Sequence, residues 1–359
     1  DVETYNNVIY HRLKKPYQRG LSFLEYVLHA ADVLTDKIRE LEPGNVIAAS
    51  NHINALPALI ASSRLGLPFT YEVRGFWEIS RLARDPDFSS TIEFAVSQQL
   101  EAFIARSADQ VFTLTSQMRD DLVKRGVNKE KISLMPNGVA EEFVRSLPAD
   151  RDLADKLNLP KECPVIGYIG SILEYEGLQD LAQACVGLAK RGVDFRLLLV
   201  GQEKPNKVEG TPITDEIRKI FKDAGIFERL IMPGRVPFSE VERYYSLIDI
   251  APIPRRPYEV AHMVSPIKPL EAMAKAKAVV VSDVAALSDM VESGITGMVF
   301  RAGDADHLEE QLALLIADRS LIGRVQQAGQ DFVKDSRTWR SICATAATNL
   351  DISYKEKPT

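Results

Sequence analysis

Apolar and polar positions along this chain change period repeatedly, and the changes predict its elements. Between residues 22 and 41, Phe23, Val27, Ala30, Ala31, Leu34 and Ile38 share one face at helical spacing, which predicts an amphipathic helix. A short apolar run at Asn45–Ser50 then predicts a buried strand. A helix through Ala55–Leu65 and a strand at Pro68–Val73 follow. Helices at Ile92–Arg106 and 116–125 alternate with strands at Gln110–Leu114 and Ile132–Met135, and the turn Pro136-Asn137-Gly138 closes the series. The stretch from Ala140 to Leu159 is polar and charged, with Pro148 inside it and Pro160 after it, and reads as a domain boundary. A second series of strands begins at Val165–Ile169 and continues with Arg196–Val200, Leu230–Met232, Ile248–Ile253, Ala278–Val281 and Gly297–Phe300. Helices near Leu178–Arg191, Asp215–Ala224, Glu240–Leu247, 266–276, Leu287–Val291 and Asp306–Ala317 separate these strands, and helical segments run on to the end.

Alternating strands and helices imply parallel α/β architecture. The expected organisation is two Rossmann-like, doubly wound domains, residues 1–145 and 146–334, facing a cleft where a ligand would sit. A chain of 359 residues is long enough for two cores. Its net charge of −6 disfavours nucleic acid as a partner. Cys163, Cys185 and Cys343 are odd in number and widely spaced, which argues against a disulfide framework or a zinc site and suits a reducing cytoplasm. No apolar run approaches the length of a membrane span, and no signal peptide is apparent. One basic cluster, His11-Arg12-Leu13-Lys14-Lys15-Pro16-Tyr17-Gln18-Arg19, has two readings: a peripheral contact with a membrane surface or phosphorylated acceptor, or a solvated loop. The oligomeric state is not legible.

The densest chemistry lies in Val264-Ser265-Pro266-Ile267-Lys268-Pro269-Leu270-Glu271-Ala272-Met273-Ala274. Ser265 suits an N-cap and proline suits a first helical turn, so a helix is expected to start between Ser265 and Pro269. Lys268 and Glu271 are three apart and share a face. A cation for phosphate beside a carboxylate for hydroxyls would hold a nucleotide; a surface ion pair on a capped helix has the same spacing. Strand-to-helix turns add Gly170 and Ser171 after Val165–Ile169, where small residues let a pyrophosphate approach backbone N–H groups. The pair Arg255 and Arg256, between Pro254 and Pro257 at the end of a strand, offers planar forks for phosphate oxygens. After the Pro68–Val73 strand come Arg74, Trp77 and Glu78; packing of a buried Trp77 is the alternative to a functional loop. His52 either lines the cleft or serves its helix start. Asp85-Pro86-Asp87 reads as structural, and no metal site is expected.

These segments resemble the family 4 glycosyltransferases. The likeness rests on S-P-x-K-P-L-E-A-M-A at 265–274, Tyr71-Glu72-Val73-Arg74-Gly75, Pro136-Asn137-Gly138-Val139, Val165–Ser171, Gly234-Arg235-Val236-Pro237, Tyr244–Pro252 and Gly294–Phe300, in the family's order across roughly residues 45–300. The resemblance implies the GT-B fold and a retaining transfer of a sugar from a nucleotide sugar to a glycan or lipid-linked acceptor. It implies no metal or other cofactor, a cytoplasmic site of action, at the inner membrane face for some acceptors, and a role in glycan or cell-envelope polysaccharide biosynthesis. It also implies that a segment near 335–359, containing Trp339, crosses back to the first domain, and that a strand and glycine-rich loop precede Asp1. Donor-binding positions would be Gly170, Ser171, Arg235, Val236, Arg255, Arg256, Ser265, Lys268, Leu270 and Glu271, with Glu271 on the ribose hydroxyls. Arg74, Glu78 and Lys268 would serve the reaction. The chain departs from the pattern at three places: Ser171 and Glu176 stand where cations are common, and Met263 stands where a first glutamate is expected. At Arg74 many members carry histidine. These departures leave open a non-catalytic nucleotide-sugar-binding module on the same fold.

Overall fold

The computed structural model describes residues 1–13, 20–82, 85–203 and 212–354. Most of the basic cluster, Lys14 to Arg19, lies outside them; Arg12 within them pairs with Glu3. The chain divides into two compact units, Asp1–Met135 and Pro136–Thr359. The division precedes the expected 145/146 boundary. Residues after the Pro136-Asn137-Gly138 turn are tied to the second unit, because Val139 bridges Thr338 and the Arg145 N–H donates to Ala274 O. The C-terminal helix Trp339–Tyr354 also groups with the second unit.

The first unit opens with an antiparallel hairpin, β1 (Val2–Tyr5) and β2 (Val8–His11), which the hydrophobic pattern does not predict. Its turn is Asn6-Asn7, both at positive φ, the conformation that Asn tolerates in two-residue hairpin loops. A parallel sheet follows in the order β3 (Val46–Ala49), β4 (Phe69–Val73), β5 (Gln110–Thr113), β6 (Ile132–Leu134). The order runs in one direction, so among the described residues this sheet has no reversal. β3 is its edge strand rather than a buried one, with Ile47 55% exposed. The Phe23–Leu41 helix starts in a capping box: Ser22 and Glu25 satisfy each other's backbone N–H. It buries Val27, Ala30 and Ala31.

Among the described residues the second unit holds six parallel strands: β7 (Val165–Ile169), β8 (Arg196–Val200), β9 (Leu230–Gly234), β10 (Ile250–Ile253), β11 (Ala278–Ser282) and β12 (Met298–Phe300). Their order, β12-β11-β10-β7-β8-β9, reverses beside β7, which is the doubly wound pattern. These strands read as continuous apolar runs because both faces are covered. Along β8, Leu197 and Leu199 enter one core while Leu198 and Val200 enter another. Along β11, Ala278 and Val280 alternate with Val279 and Val281 in the same way. Each fully buried Leu or Val is worth roughly 1.5–3 kcal/mol of transfer free energy. The result is a rigid sheet whose C-terminal strand ends carry the loops described next.

Candidate functional site

The loops after β7, β8, β9 and β10 converge at one end of the second unit's sheet. Between the first three lies a cavity of about 340 Å³, lined by Gly170, Ser171, Gly201, Gln202, Arg235 and Val236 among others. Gly170 and Ser171 follow β7, and Arg235 and Val236 follow β9. The structure thus brings four of the expected donor-binding residues to one cavity. A Cβ on Gly170 would stand 2.3 Å from Lys268 Cε, so only glycine lets the lysine stem lie across this turn. Arg235 is exposed and makes no hydrogen bond or ion pair within the described residues.

Beside Gly170 sits a buried charge cluster. Lys268 Nζ lies 2.7 Å from Glu176 Oε1, and the Arg255 guanidinium lies 3.2 Å from the same oxygen. Glu176 and Arg255 are 1% and 6% exposed. Two cations thus share one carboxylate, these three side chains sum to one positive charge, and Glu271 is the next carboxylate that Lys268 feels. Arg255 also donates to Val264 O at 3.0 Å, while its Nε and Glu176 Oε2 are buried without a partner. Burial alone would raise the Glu176 pKa, but Arg255 and Lys268 outweigh it and hold the carboxyl below its ordinary value. Burial lowers the Lys268 pKa, with Glu176 opposing.

Glu176 ends a short 3-10 turn, Glu174–Glu176, that the following glycine locks in place. Gly177 sits at φ +69, and a Cβ there would stand 1.9 Å from Pro254 O. The Arg256 N–H closes the contact by donating to Tyr175 O at 2.9 Å. Arg256 itself turns away from the cluster. Its guanidinium meets Asp180 at 2.9 and 2.7 Å and also pairs with Glu174. The proline-flanked pair is therefore split: Arg255 joins Lys268, and Arg256 pins the Leu178–Lys190 helix.

The Lys268–Ala274 helix carries Lys268 and Glu271 on one face. Ser265 does not cap it; Ile267 holds that position. Ser265 is buried, its hydroxyl lies 3.5 Å from Met290 Sδ, and its carbonyl accepts from Asn137 Nδ2 at 2.8 Å. Leu270 is fully buried in the core and anchors the helix without lining the 340 Å³ cavity. Glu271 is half-buried, and the Tyr245 hydroxyl donates to it at a long 3.4 Å. Burial raises the Glu271 pKa, with Tyr245 and Lys268 opposing. Its remaining acceptor capacity suits a pair of vicinal hydroxyls. Tyr245 is a residue of this site that sequence spacing did not single out, and the Tyr244-Tyr245 run before β10 was the available signal for it. Glu176 was marked only as a departure where a cation is common, not as the partner of Lys268 and Arg255.

The first unit presents the other expected residues. Arg74 pairs with Glu72 at 2.7 Å. Glu78 is buried and bonded to Arg125 at 2.7 Å, with Oε2 unpartnered; burial raises its pKa against Arg125. Trp77, whose burial was the alternative to a functional loop, is 63% exposed at the start of a short helix. His52 begins the His52–Leu65 helix, with Nδ1 3.0 Å from Glu101 Oε1. No helix among the described residues is long and apolar enough to cross a membrane, and no group of three or more metal-ligating side chains occurs among them.

This chain is similar to known proteins. The profile of the family described as "Glycosyl transferases group 1" matches residues 163–318, and that of the "Glycosyl transferase 4-like domain" matches residues 2–138. A 2-deoxystreptamine glucosyltransferase of Streptomyces kanamyceticus is 24% identical over 309 residues, covering 83% of this chain and 75% of that protein. A D-inositol 3-phosphate glycosyltransferase of Nocardia farcinica is 26% identical over 235 residues, covering 64% of this chain and 50% of that protein. The chain thus spans about half the length of this second relative. The Anabaena protein HepE, solved in complex with UDP-glucose, superposes with a TM-score of 0.70 at 16% identity, over 90% of this chain and 82% of that one. At that identity the likeness establishes the fold.

Proposed function

Because this chain belongs to the group 1, family 4-like glycosyltransferases, enzymes of GT-B fold that transfer glycosyl groups, we propose that it is a retaining enzyme using a nucleotide sugar. The acceptor would be a hydroxyl of a glycan or lipid-linked substrate, in glycan or cell-envelope polysaccharide biosynthesis. Such a role places it in the cytoplasm, at the inner membrane face when the acceptor is lipid-linked. The observation that carries the reading is the buried cluster of Lys268, Arg255 and Glu176, whose surplus positive charge lies beside the Gly170 turn and Glu271.

In this reading Glu271 accepts the ribose hydroxyls. The diphosphate occupies the cavity past Gly170, compensating Lys268 and Arg255, with Arg235 at its rim. As the bond from sugar to diphosphate breaks, negative charge grows on the leaving oxygen. A cation already fixed there stabilises that charge without reorganising, a contribution worth several kcal/mol. The acceptor hydroxyl approaches from the leaving-group face, and the departing diphosphate takes its proton. The protein supplies position and field rather than a covalent partner. We propose further that these side chains replace a metal, so turnover should survive chelator; complete loss in EDTA, restored by Mg²⁺ or Mn²⁺, would refute this part.

The deciding experiment is a panel of nucleotide sugars, scored for nucleoside diphosphate release with and without acceptor. Release that depends on Lys268 supports transfer. Nucleotide binding without release from any donor would instead support a non-catalytic binding module.

A further inference from the structure

One helical turn after Glu271 stands a second ion-pair network, to which the donor chemistry gives no role. Lys275 ends the Lys268–Ala274 helix and is 0% exposed. Its Nζ meets Glu242 Oε1 and lies 3.6 Å from the centre of the Phe143 ring. Glu242 Oε2 takes the Arg145 guanidinium at 2.6 Å, and the Arg145 N–H donates to Ala274 O at 3.0 Å. Stability is a poor reason for this lysine. A buried ion pair is often no better than apolar side chains of the same volume.

Two helices carry the network. Glu271 and Lys275 are four apart, and Glu242 and Tyr245 are three apart on the Val241–Tyr245 helix, so each pair lies along one helix face. The faces meet in a ladder of two rungs: Glu242 on Lys275, and the Tyr245 hydroxyl on Glu271 Oε2 at 3.4 Å. Fixing the first rung sets where the second falls. The titratable groups acting on Glu271 are Tyr245 from the facing helix and Lys268 and Lys275 from its own side; both lysines favour its charged form against burial. Those acting on Lys275 are Glu242, Arg145 and Glu271. The packed Arg319–Ser336 helix brings the neutral Gln330, which donates to Ala274 O at 2.9 Å, and β10 and β11 present apolar residues.

Resting on the reading that Glu271 holds the ribose, we infer that Lys275 is its positioning residue: the buried ammonium keeps the Glu271 carboxylate charged and, through Glu242, holds the helix that aims Tyr245 at Oε2. Tyr245 then takes one lone pair of the carboxylate and leaves the others for the vicinal hydroxyls. Lys275 is fully buried and acts on the nucleotide only through Glu271.

The test follows the Glu271 carboxyl itself, by pH titration in NMR of the full chain carrying carbon-13 at glutamate Cδ; the Glu271 signal is the one lost in Glu271→Gln. Lys275→Met removes the charge at similar volume and leaves Glu242 its pairing with Arg145. Glu271 should then take up its proton at higher pH than in wild type. Affinity for UDP or GDP on the acid side of the profile should fall about three- to tenfold, the scale of one lost charge contact. Glu242→Gln keeps an oxygen for Lys275 but removes its counter-charge, so Glu271 should take up its proton at lower pH. Both variants loosen the same packing, and a merely structural role would move both titrations the same way. Lys275→Met should also raise KM for the nucleotide sugar more than it lowers kcat, because ribose contacts are shared by ground and transition states. A Glu271 titration unchanged in Lys275→Met, or shifted in the same direction by both variants, would overturn the inference. The NMR titration needs no ligand. Failure of the ribose reading shows separately, as UDP and GDP affinities that Glu271→Gln leaves unchanged.

Discussion

Replacing Glu176 by Gln removes one negative charge from between two cations while keeping a side-chain oxygen in place. The contacts at stake are 2.7 Å to Lys268 and 3.2 Å to Arg255, both in a buried setting. At an effective dielectric near 20 each is worth several kcal/mol gross, and desolvation offsets most of it. Removing the counter-charge leaves Lys268 and Arg255 buried together without compensation, at a cost of about 3 kcal/mol. For a unit of this size 1 kcal/mol shifts Tm by about 2–4 °C, so the second unit's transition should fall by roughly 6–12 °C. The pH dependence should change too. Wild-type Glu176 has a folded-state pKa below its ordinary value, so its contribution is present above the unfolded pKa and is lost as pH falls through the folded one. The variant has no such contribution, and its stability should fall less steeply in acid. A nucleoside diphosphate then supplies the missing charge, so saturating ligand should raise the variant's Tm more than the wild type's. Differential scanning calorimetry from pH 4 to 8, with and without ligand, reads all three. A variant as stable as wild type, with an unchanged ligand-induced shift, would refute the claim that this carboxylate holds the two cations for a phosphate.

Four further outcomes follow from the same site. Glu271→Ala should weaken nucleotide-sugar affinity by about 1–3 kcal/mol, the scale for a lost charged acceptor; unchanged affinity by calorimetry in a folded variant would remove Glu271 from the ribose. Nucleotide affinity should fall at both ends of the pH range: as pH drops through the raised Glu271 pKa its carboxylate is lost, and as pH climbs through the lowered Lys268 pKa its charge is lost. A titration that stays flat down to the ordinary glutamate range would contradict the first limb. Arg235→Gln should lower turnover on the order of a hundredfold, whereas Arg256→Gln, which loosens Asp180 and Glu174, should act mainly on stability; steady-state kinetics and melting of the two variants separate them. Gly177→Ala should destabilise the second unit by about 1–3 kcal/mol through its left-handed φ and the collision with Pro254 O.

Much of the fold was legible because the strands of the second unit are buried on both faces. Val165–Ile169 and Arg196–Val200 stand where the apolar runs place them, bounded by turn residues. Burial hides register but not existence. The hairpin at Val2–His11 escaped because its residues are exposed on both faces and show no alternation; Asn6-Asn7 was the only local signal. The Glu259–Met263 helix escaped because five residues are too few to show a period. At the candidate site, Gly170, Ser171, Arg235 and Val236 stand after strand ends and Lys268 and Glu271 on one helix, where their motifs place them. Pairings were not legible. Glu176 read as a charge opposed to phosphate, yet it is the partner that orders Lys268 and Arg255, because residues far apart in sequence meet only after the sheet forms. Arg255 and Arg256 looked equivalent, and a single residue of offset sent one into the cluster and the other onto the neighbouring helix. Ser265 satisfied the statistics of an N-cap, but its carbonyl is taken by Asn137, and the helix starts three residues later at Lys268.

The central claim is that Glu271, Lys268 and Arg255 hold a nucleotide sugar in the second unit. A structure of the chain with a bound nucleotide sugar tests it most directly. The account predicts both ribose hydroxyls within hydrogen-bond distance of the Glu271 carboxylate, and diphosphate oxygens within hydrogen-bond distance of Lys268 Nζ, in the cavity lined by Gly170 and Arg235. A nucleotide bound elsewhere, or one bound there with Lys268 and Arg255 both still on Glu176 and neither touching phosphate, would contradict it.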